Sequence, residues 1–189
     1  MGDGHRQYGK RPFTVVLTGP ESTGKTTLAR TLAAHFGGAW VPEYAREYIE
    51  HLGRPYTYDD VLHILQYQIK VLEDPAWQHM PFLFLDTDLI ILKVWFAVKY
   101  GKVPDELDRL IAERKIDLYL LCLPDLPWVD DPVRENPGER REELFRIYKK
   151  ELEEKKLPYH PVSGRGRERT KAAIEAVREA VKKNDHGRS

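Results

Sequence analysis

The stretch GPESTGKTT, at residues 19–27, carries the residue types and spacing of a phosphate-binding loop. It matches the pattern G-x-x-x-x-G-K-[ST] and directly follows an apolar run at 13–18 that is typical of a strand. In such a loop the glycines let successive backbone N–H groups point at phosphate oxygens, and the positive end of the next helix faces the same place. We therefore expect a nucleoside triphosphate site, and the loop itself does not distinguish ATP from GTP. Its expected phosphate-binding residues are Gly19, Glu21, Ser22, Thr23, Gly24, Lys25, Thr26 and Thr27.

Lys25, Asp86 and Asp88 are the first catalytic candidates. Lys25 can reach the β- and γ-phosphates. Asp86 ends the apolar run FLFLD and is the expected Mg²⁺ ligand together with the Thr26 hydroxyl, because a P-loop site usually takes a carboxylate from a neighbouring strand. Mg²⁺ with ATP is thus the expected cofactor, although Asp86 could instead cap the following helix. Asp88 is either the general base toward an acceptor hydroxyl or a second helix cap, and the residues leave both roles open.

A cluster of arginines surrounds a helix start in the stretch PDLPWVDDPVRENPGERREELFRIY. Asn136 is the predicted cap of this helix and Pro137 its first residue. Arg140 and Arg141 then occupy opening turns in which the helix dipole disfavours cations, so an anion from elsewhere is expected there. We predict that Arg134 and Arg140 are catalytic residues on a lid that closes over the γ-phosphate, as in an ATP-dependent kinase. A solvated helix start, paired with the glutamates that follow, is the alternative.

Two further stretches bear charges whose role the residues alone leave open. Glu43 and Arg46, in EYAREY, follow the second apolar run and either face a ligand or form a solvated helix start. The basic run SGRGRERT, at 163–170, follows the last apolar run, where P-loop kinases often place the chain beside adenine. We expect Arg165 or Arg169 to stack on the adenine base, unless the run is simply solvated.

Five short apolar runs alternate with helical patterns along the chain. The runs occupy residues 13–18, 39–42, 82–86, 117–123 and 159–163. This alternation predicts βαβ units and an α/β fold, and nearly continuous apolar runs such as LYLLCL fit strands covered on both faces. We expect a single three-layer P-loop NTPase domain with a five-stranded, mostly parallel sheet, similar to nucleoside and nucleotide kinases and with a lid. It should span 12–183, between an N-terminal extension at 1–11 and a C-terminal tail at 184–189.

Composition limits the class of partner. The 189 residues include 30 basic and 30 acidic side chains, and this zero net charge argues against broad binding to nucleic acid or to an anionic membrane. The chain has no long apolar stretch, and its first residues lack the apolar core of a signal peptide, so we expect a cytoplasmic protein. Cys122 is the single cysteine and is expected in the core, and the seven histidines show no metal-ligand spacing. The expected partners are ATP and a small acceptor, while oligomeric state is not encoded in any recognisable pattern.

Four motifs, taken in order, resemble the nicotinamide riboside kinase domain of NadR-type proteins. They are GPESTGKTTLARTLA, EYAREY, DTDL, and DLYLL leading into PWVDDPVR, and the resemblance extends from about residue 14 to about residue 170. The first motif is general to P-loop proteins, whereas its combination with the others is particular to that family. The resemblance implies that ATP phosphorylates the ribose 5′-hydroxyl of nicotinamide riboside, which gives nicotinamide mononucleotide in NAD salvage. Multidomain relatives also carry a DNA-binding segment and an adenylyltransferase domain, and we expect neither activity here.

The resemblance also implies roles for residues left open above. In a kinase of this architecture the end of the second strand faces the acceptor, so Glu43 would accept hydrogen bonds from the ribose or act as the base. Arg46 would hold a phosphate or Glu43 itself. Tyr44 would offer its aromatic face to the cationic pyridinium, a pairing worth about 0.5–2 kcal/mol. The expected acceptor-binding residues are Glu43, Tyr44, Arg46, Asp88, Trp128 and Asp131.

Two positions depart from the family pattern. Pro42 stands where better-known members carry a tryptophan, so stacking on the nicotinamide would have to come from Trp40, Tyr44 or Trp128. Pro132 stands in place of a lid glycine, which stiffens that loop. Two alternatives stay open: a P-loop kinase for another nucleoside or small hydroxylated acceptor, and a nucleotide-dependent binding module or switch ATPase. The first consumes ATP quickly only with its acceptor, whereas the second hydrolyses ATP slowly without one.

Overall fold

The computed structural model describes residues 11–131 and 134–186. Pro132, at which the sequence predicts a stiffer lid, lies outside these ranges. Most of the predicted N-terminal extension and the end of the predicted C-terminal tail lie outside them as well. Within the described ranges, strands and helices alternate in the order of an α/β fold.

Five parallel strands form one sheet in the order β2-β3-β1-β4-β5. The strands are β1 Phe13–Thr18, β2 Ala39–Val41, β3 Phe82–Leu85, β4 Leu118–Cys122 and β5 Tyr159–Val162. Each coincides with one of the apolar runs, so the predicted parallel sheet is confirmed. Both β1 and β4 are buried along their whole length, as expected of strands with helices on both faces. The chain order reverses beside β1, so the loop after this strand opens at the position where α/β sheets bind ligands.

Helices cover both faces of the sheet and complete the predicted three layers. They are α1 Lys25–Phe36, α2 Tyr44–His51, α3 Tyr58–Leu72, α4 Leu89–Tyr100, α5 Leu107–Glu113, α6 Glu139–Glu154 and α7 Gly166–His186, with a short 3₁₀-helix at Pro75–His79. On one face α1 and α7 pack over strand residues such as Val15 and Leu17, and Cys122 lies in the same core. On the other face α2 to α6 pack over residues such as Val16 and Leu85. Neighbouring strand residues thus face opposite cores, which explains the nearly continuous apolar runs.

No helix in the described part of the chain combines the length and the apolar character needed to cross a membrane. The strongly apolar α4 has only 12 residues. Its buried side chains belong to the core between the sheet and the helices of one face.

The start of α6 differs from the prediction. The sequence predicts Asn136 as the cap, but α6 begins at Glu139 with Gly138 as its N-cap. Asn136 lies two residues before this cap, and its backbone N–H and side-chain amide donate to the Glu21 carboxylate over 2.9 and 3.4 Å. Residues 134–140 are called the lid below. A long-range contact between the lid and the phosphate loop sets the helix boundary, and no local helix signal reports such a contact.

Gly19 lets the phosphate loop pass close to β4, and this predicts the effect of replacing it. A Cβ atom at Gly19, where φ is +125°, would lie 2.6 Å from the carbonyl oxygen of Cys122. Gly37 is the matched control, because φ is +63° there and nothing lies within 4 Å of its Cβ position. We expect Gly19→Ala to lower the free energy of unfolding by roughly 3 kcal/mol or more, and Gly37→Ala by roughly 1 kcal/mol, in urea denaturation. Equal losses would mean that contact with β4 is not what requires glycine at position 19.

Candidate active site

A cleft of about 470 Å³ opens at the carboxyl edge of the sheet, where the loop after β1 begins. Residues 19–27, the phosphate loop, line one end of it. Apolar and aromatic side chains of α2, α4 and α6 line the other end, and lid residues lie along one side. The volume suits a site for small organic ligands. The cleft therefore joins a phosphate-binding loop to a partly apolar pocket.

The predicted loop residues are all brought together at one end of this cleft. Gly24 adopts a left-handed conformation with φ 74° and caps α1, which begins at Lys25. The Lys25 ammonium group donates to the carbonyl oxygens of Gly19 and Pro20 over 3.0 and 2.8 Å. Triphosphate oxygens would offer it charge-assisted hydrogen bonds, which are stronger than those to neutral carbonyls. The loop thus presents a cation and a helix N-terminus to the same point.

Two loop side chains are engaged within the protein. The hydroxyl of Thr23 is buried and donates to the carbonyl of Pro20 over 2.8 Å, so it holds the loop in shape. The carboxylate of Glu21 accepts from the backbone N–H groups of Glu135 and Asn136 in the lid. The sequence predicts phosphate contacts through the backbone N–H groups of this loop, and these two side-chain contacts leave that prediction unchanged.

Glu43 faces the cleft. It is the N-cap residue of α2, yet its side chain makes no capping hydrogen bond, and it lines the cleft together with Lys25 and Arg46. Burial raises the pKa of the Glu43 carboxyl, and the charges of Lys25 and Arg46 offset part of that effect. Of the two interpretations that the sequence leaves open, a solvated helix start does not describe this geometry. The side chain is a partly buried carboxylate beside the phosphate loop.

Asp86 has the donor chemistry expected of a magnesium ligand. Its side chain is 1% exposed and is not among those that line the cleft, and neither of its oxygens has a hydrogen-bond partner within the described residues. Burial and the nearby charge of Glu43 raise the pKa of Asp86 to about 6, while the Thr26 side chain and the Lys25 charge act in the opposite direction. A buried carboxylate without partners calls for an explanation, and a divalent cation supplies one.

The donor set fits Mg²⁺ in particular. Asp86 and Thr26 offer hard oxygen ligands beside the phosphate loop, and Mg²⁺ in such sites takes few protein ligands and completes its shell with phosphates and water. No cluster of three or more His, Cys, Asp or Glu side chains suited to a metal occurs in residues 11–131 and 134–186. An ion that arrives with the nucleotide therefore suits this protein better than an all-protein metal cage.

Asp88 is engaged in holding the fold rather than facing the cleft. One of its oxygens accepts from the backbone N–H of Ile90 over 3.0 Å, which caps α4. The other accepts from the hydroxyl of Tyr119 over 2.8 Å, and the residue is 3% exposed. The geometry matches the cap that the sequence left open as an alternative. The roles predicted for Asp88 in catalysis and acceptor binding are not supported, because both oxygens are occupied and the side chain does not line the cleft.

Arg46 lines the cleft, but Asp131 and Tyr44, which the sequence also predicts in the acceptor site, do not. Arg46 donates to the carboxylate of Asp131 over 2.7 Å, and Arg134 lies 3.9 Å from the same carboxylate, so Asp131 is joined to two arginines that line the cleft. The ring of Tyr44 stacks on Tyr67, with centroids 3.6 Å apart and an angle of 18°. Its hydroxyl lies 3.3 Å from Nε2 of His63 in α3. The predicted contact of Tyr44 with an acceptor ring needs correction, since that face is covered by Tyr67.

Trp128 lies outside the cleft as well. Its indole N–H donates to Asp130 over 2.7 Å, and the guanidinium of Arg141 lies 5.7 Å from the ring centroid. Arg141 is buried and donates to the carbonyls of Ser22 and Leu126, so it braces the phosphate loop from outside. The predicted acceptor contact of Trp128 is therefore not supported. The lid arginines Arg134 and Arg140 differ from Arg141, since both line the cleft.

The two arginines predicted beside adenine do not line the cleft. Arg169 is 4% exposed and donates to the Asp125 carboxylate over 2.7 Å and to the carbonyl of Thr23 over 2.9 Å. Both terminal nitrogens of its guanidinium are engaged in joining α7 to the phosphate loop, and its burial leaves no exposed face to stack on a base. Arg165 is exposed and only approaches the carbonyl of Asp125, at 3.4 Å. The adenine prediction for Arg169 needs correction, and the structure gives Arg165 no place in the cleft.

Sequence reasoning missed the aromatic wall at the far end of the cleft. Trp95 and Tyr56 meet edge to face with centroids 5.1 Å apart, and the Trp95 indole N–H donates to the Tyr56 hydroxyl over 3.1 Å. Lys99 donates to the same hydroxyl over 2.6 Å, and Tyr148 of α6 also lines the pocket. Burial and the contact with Glu135 strongly raise the pKa of Tyr56, so its hydroxyl stays protonated. The spacing of Trp95 and Lys99 in α4, one turn apart, was the available signal.

Comparison with known proteins assigns the chain to a family of P-loop domains. Residues 14–169 match the family described as AAA domain, and the chain belongs to that family. It is 30% identical over 158 residues to the trifunctional NAD biosynthesis/regulator protein NadR of Escherichia coli (strain K12), which covers 79% of this chain and 38% of that protein. For NadR of Salmonella typhimurium (strain LT2) the identity is 33% over 132 residues, which covers 66% of this chain and 32% of that protein. The resemblance to NadR-type proteins is confirmed, and the chain spans well under half the length of these relatives.

Solved structures agree with this assignment. A NadR protein in complex with NR has a TM-score of 0.72 and 29% identity, and the match covers 89% of this chain and 51% of that one. A deoxyadenosine kinase from M. mycoides with bound dATP has a TM-score of 0.61 and 14% identity, covering 88% and 99%. The second likeness concerns the fold alone. The predicted nucleoside-kinase-like P-loop fold is confirmed.

The raised pKa of Asp86 predicts that replacing this residue stabilises the protein without ligand. In the folded protein the pKa of this carboxyl is about 6, whereas in the unfolded chain it has the ordinary, lower value of an aspartate. Ionisation therefore destabilises the folded state as the pH rises from that ordinary value to about 6. We expect Asp86→Asn to raise the free energy of unfolding by roughly 1–3 kcal/mol at pH 7.5 in EDTA, and to change it little at pH 4.5. Urea denaturation at both pH values measures this.

Asp59→Asn is the control, because it removes an equal charge from an exposed position in α3. It should not stabilise the protein at either pH. A stabilisation by Asp86→Asn that is the same at both pH values would show that ionisation of the buried carboxyl is not its cause.

Proposed function

We propose that this protein is an ATP-dependent kinase that phosphorylates the ribose 5′-hydroxyl of nicotinamide riboside and so forms nicotinamide mononucleotide. The observation that carries the proposal is the Glu43 carboxylate, which lines the same cleft as the phosphate loop and an aromatic pocket. A base between a phosphate donor and an organic acceptor is what phosphoryl transfer to a hydroxyl needs. Similarity to NadR proteins, one of them in complex with NR, supports this acceptor.

The donor end would work mainly through electrostatics. Backbone N–H groups of the phosphate loop and the N-terminus of α1 would bind the triphosphate, with Lys25 against its β- and γ-phosphates. Arg134 and Arg140 line the cleft from the lid and would neutralise charge that develops on the transferred group. Asp86 and Thr26 would hold Mg²⁺, which supplies further neutralisation of phosphate charge when it is bound.

Glu43 is the proposed general base. Burial raises its pKa above that of an ordinary glutamate, which makes the ionised carboxylate a stronger base. In the transfer the 5′-hydroxyl proton passes to a Glu43 oxygen as the hydroxyl oxygen bonds to the γ-phosphorus. The bond from that phosphorus to the bridging oxygen breaks, and ADP leaves with the electron pair. Arg46, one helical turn further along α2, favours the ionised carboxylate.

The far end of the cleft would hold the nicotinamide ring. Trp95 and Tyr148 supply aromatic surface there, and a cationic pyridinium is attracted to such surfaces. The Tyr56 ring already has the Lys99 ammonium 3.8 Å from its centroid. The carboxylates of Glu43 and Glu135 in the same cleft also favour a positively charged nucleoside. This wall takes the place of the aromatic residues that the sequence comparison with the family had suggested.

ADP release with Mg·ATP and a panel of acceptors tests the proposal directly. The panel is nicotinamide riboside, nicotinic acid riboside, adenosine, uridine, thymidine and no acceptor. We expect nicotinamide riboside to give a rate at least roughly tenfold above the others, because only it pairs a cationic ring with an uncharged amide. Lys25→Ala should abolish this rate. Preference for another nucleoside would replace the acceptor but keep the kinase, and slow release that ignores all acceptors would contradict the kinase.

The role of Glu43 predicts a specific pH profile. The base must be ionised, so kcat/KM should fall with decreasing pH through a pKa above the usual range of a carboxyl group. Glu43→Gln should lower kcat by roughly 10²–10⁴-fold, abolish this acidic limb and leave the KM for ATP nearly unchanged.

Glu47→Gln, an exposed residue of the same helix, is the matched control and should keep both rate and profile. An acidic limb that persists in Glu43→Gln would assign the proton transfer to another group.

A further inference from the structure

Glu135 of the lid contacts both ends of the cleft. Its backbone N–H donates to both oxygens of the Glu21 carboxylate over 3.2 Å. Its own carboxylate accepts from the Lys99 ammonium over 2.8 and 3.0 Å, and from the Tyr56 hydroxyl over 2.5 Å. Glu21 belongs to the phosphate loop, whereas Tyr56 and Lys99 belong to the wall of the opposite pocket. A single lid residue therefore links the two.

The two halves of this link differ in chemistry. At the phosphate loop, Glu21 binds the lid through main-chain N–H groups of Glu135 and Asn136, so this contact fixes the backbone whatever side chain stands at 135. At the far wall the contact needs the Glu135 side chain, because the Glu135 atoms that accept from Lys99 and Tyr56 are its carboxylate oxygens. Each of these hydrogen bonds has an ionised donor or acceptor, and such charge-assisted hydrogen bonds are stronger than those between neutral groups. The two halves can be removed separately, by changing Glu21 or Glu135.

We propose that Glu21, Glu135 and Lys99 couple the two substrate sites, so that nucleotide binding raises the affinity for the acceptor and the acceptor raises the affinity for nucleotide. The identity of the two ligands rests on the proposed function, whereas the coupling rests on the contacts themselves. Glu135 is thus a positioning residue. It acts by holding the lid against both the phosphate loop and the acceptor wall.

The physical basis of the coupling is that both ligands favour the same position of one segment, the lid. Glu21 belongs to the phosphate loop and holds the lid backbone at Glu135 and Asn136, so a triphosphate that orders this loop favours the lid position described here. The same position sets Glu135 against Tyr56 and Lys99, which orders the wall that the acceptor would contact. A coupling of this kind is reciprocal by thermodynamic necessity. It disappears when either half of the link is cut.

Hydrogen exchange on the full chain, with and without saturating Mg·AMP-PNP, tests the coupling without any acceptor. In the wild type we expect nucleotide to slow exchange in the phosphate loop, in the lid and also around Tyr56 and Lys99. In Glu21→Ala the slowing in the phosphate loop should remain, while that around Tyr56 and Lys99 is lost. Glu139→Ala, an exposed glutamate at the end of the lid, should behave as the wild type. Slowing around Tyr56 that survives in Glu21→Ala would overturn the proposal.

Calorimetric titration with nicotinamide riboside, alone and with saturating Mg·AMP-PNP, measures the coupling factor. We expect the nucleotide to tighten acceptor binding by roughly 5–150-fold in the wild type and by less than about twofold in Glu21→Ala and in Glu135→Ala. The double variant should be no worse than either single one, because both changes cut the same link. Equal weakening with and without nucleotide would overturn the proposal, since Glu135 would then be an ordinary contact residue. Glu21→Gln and Glu135→Gln serve if an alanine variant does not fold, and should give intermediate factors.

The two experiments separate this inference from the proposed function. If nicotinamide riboside fails to bind the wild type while nucleotide still slows exchange around Tyr56 and Lys99, the acceptor is wrong and the coupling stands. If nucleotide affects only the phosphate loop in the wild type, the coupling is wrong whatever the acceptor is.

Discussion

Two carboxylates, Glu43 and Asp86, follow neighbouring strands of the sheet, and the charge of Glu43 adds to burial in raising the pKa of Asp86. The sheet brings them together, since the backbone N–H of Asp86 donates to the carbonyl of Val41 over 3.0 Å. Burial and the charge of Glu43 raise the pKa of Asp86 to about 6, and Lys25 offsets part of this. A folded protein keeps such an unfavourable pair only where packing holds both groups in place, and this is typical of sites that bind and act on ligands.

The phosphate loop beside this pair is held from outside by two buried arginines. Arg141 and Arg169 donate to the carbonyls of Ser22 and Thr23, and each also binds main-chain carbonyls of the chain that follows β4. Their charges are spent on shaping the loop. Arg134 and Arg140 instead line the cleft, where Arg134 donates to the carbonyl of Val129 over 2.6 Å and Arg140 pairs with Glu143 over 2.5 Å. Arginines that look alike in the sequence thus serve two purposes, and burial distinguishes them.

The lid adds a second set of contacts between parts distant in the chain. Glu21 and Asn136 are 115 residues apart, and Tyr56 and Glu135 are 79 apart, yet both pairs are hydrogen bonded. These contacts explain why α6 begins later than its local signals suggest. They also close the aromatic end of the cleft, whose residues belong to a loop, a helix and the lid. No local pattern in any one of those segments predicts such a wall.

The sequence by itself determined the parallel sheet and the phosphate loop and predicted Asp86 beside that loop, whereas it left open whether Glu43 faces a ligand. The physical reason is that strand burial and loop geometry are local, and that carboxyl ends of parallel strands share one edge of a sheet. Only the tertiary structure decided where side chains point. It stacked Tyr44 on Tyr67, turned Asp88 into a helix cap and brought the far wall together. Those outcomes depend on neighbours far away in the chain, which residue type and spacing do not reveal.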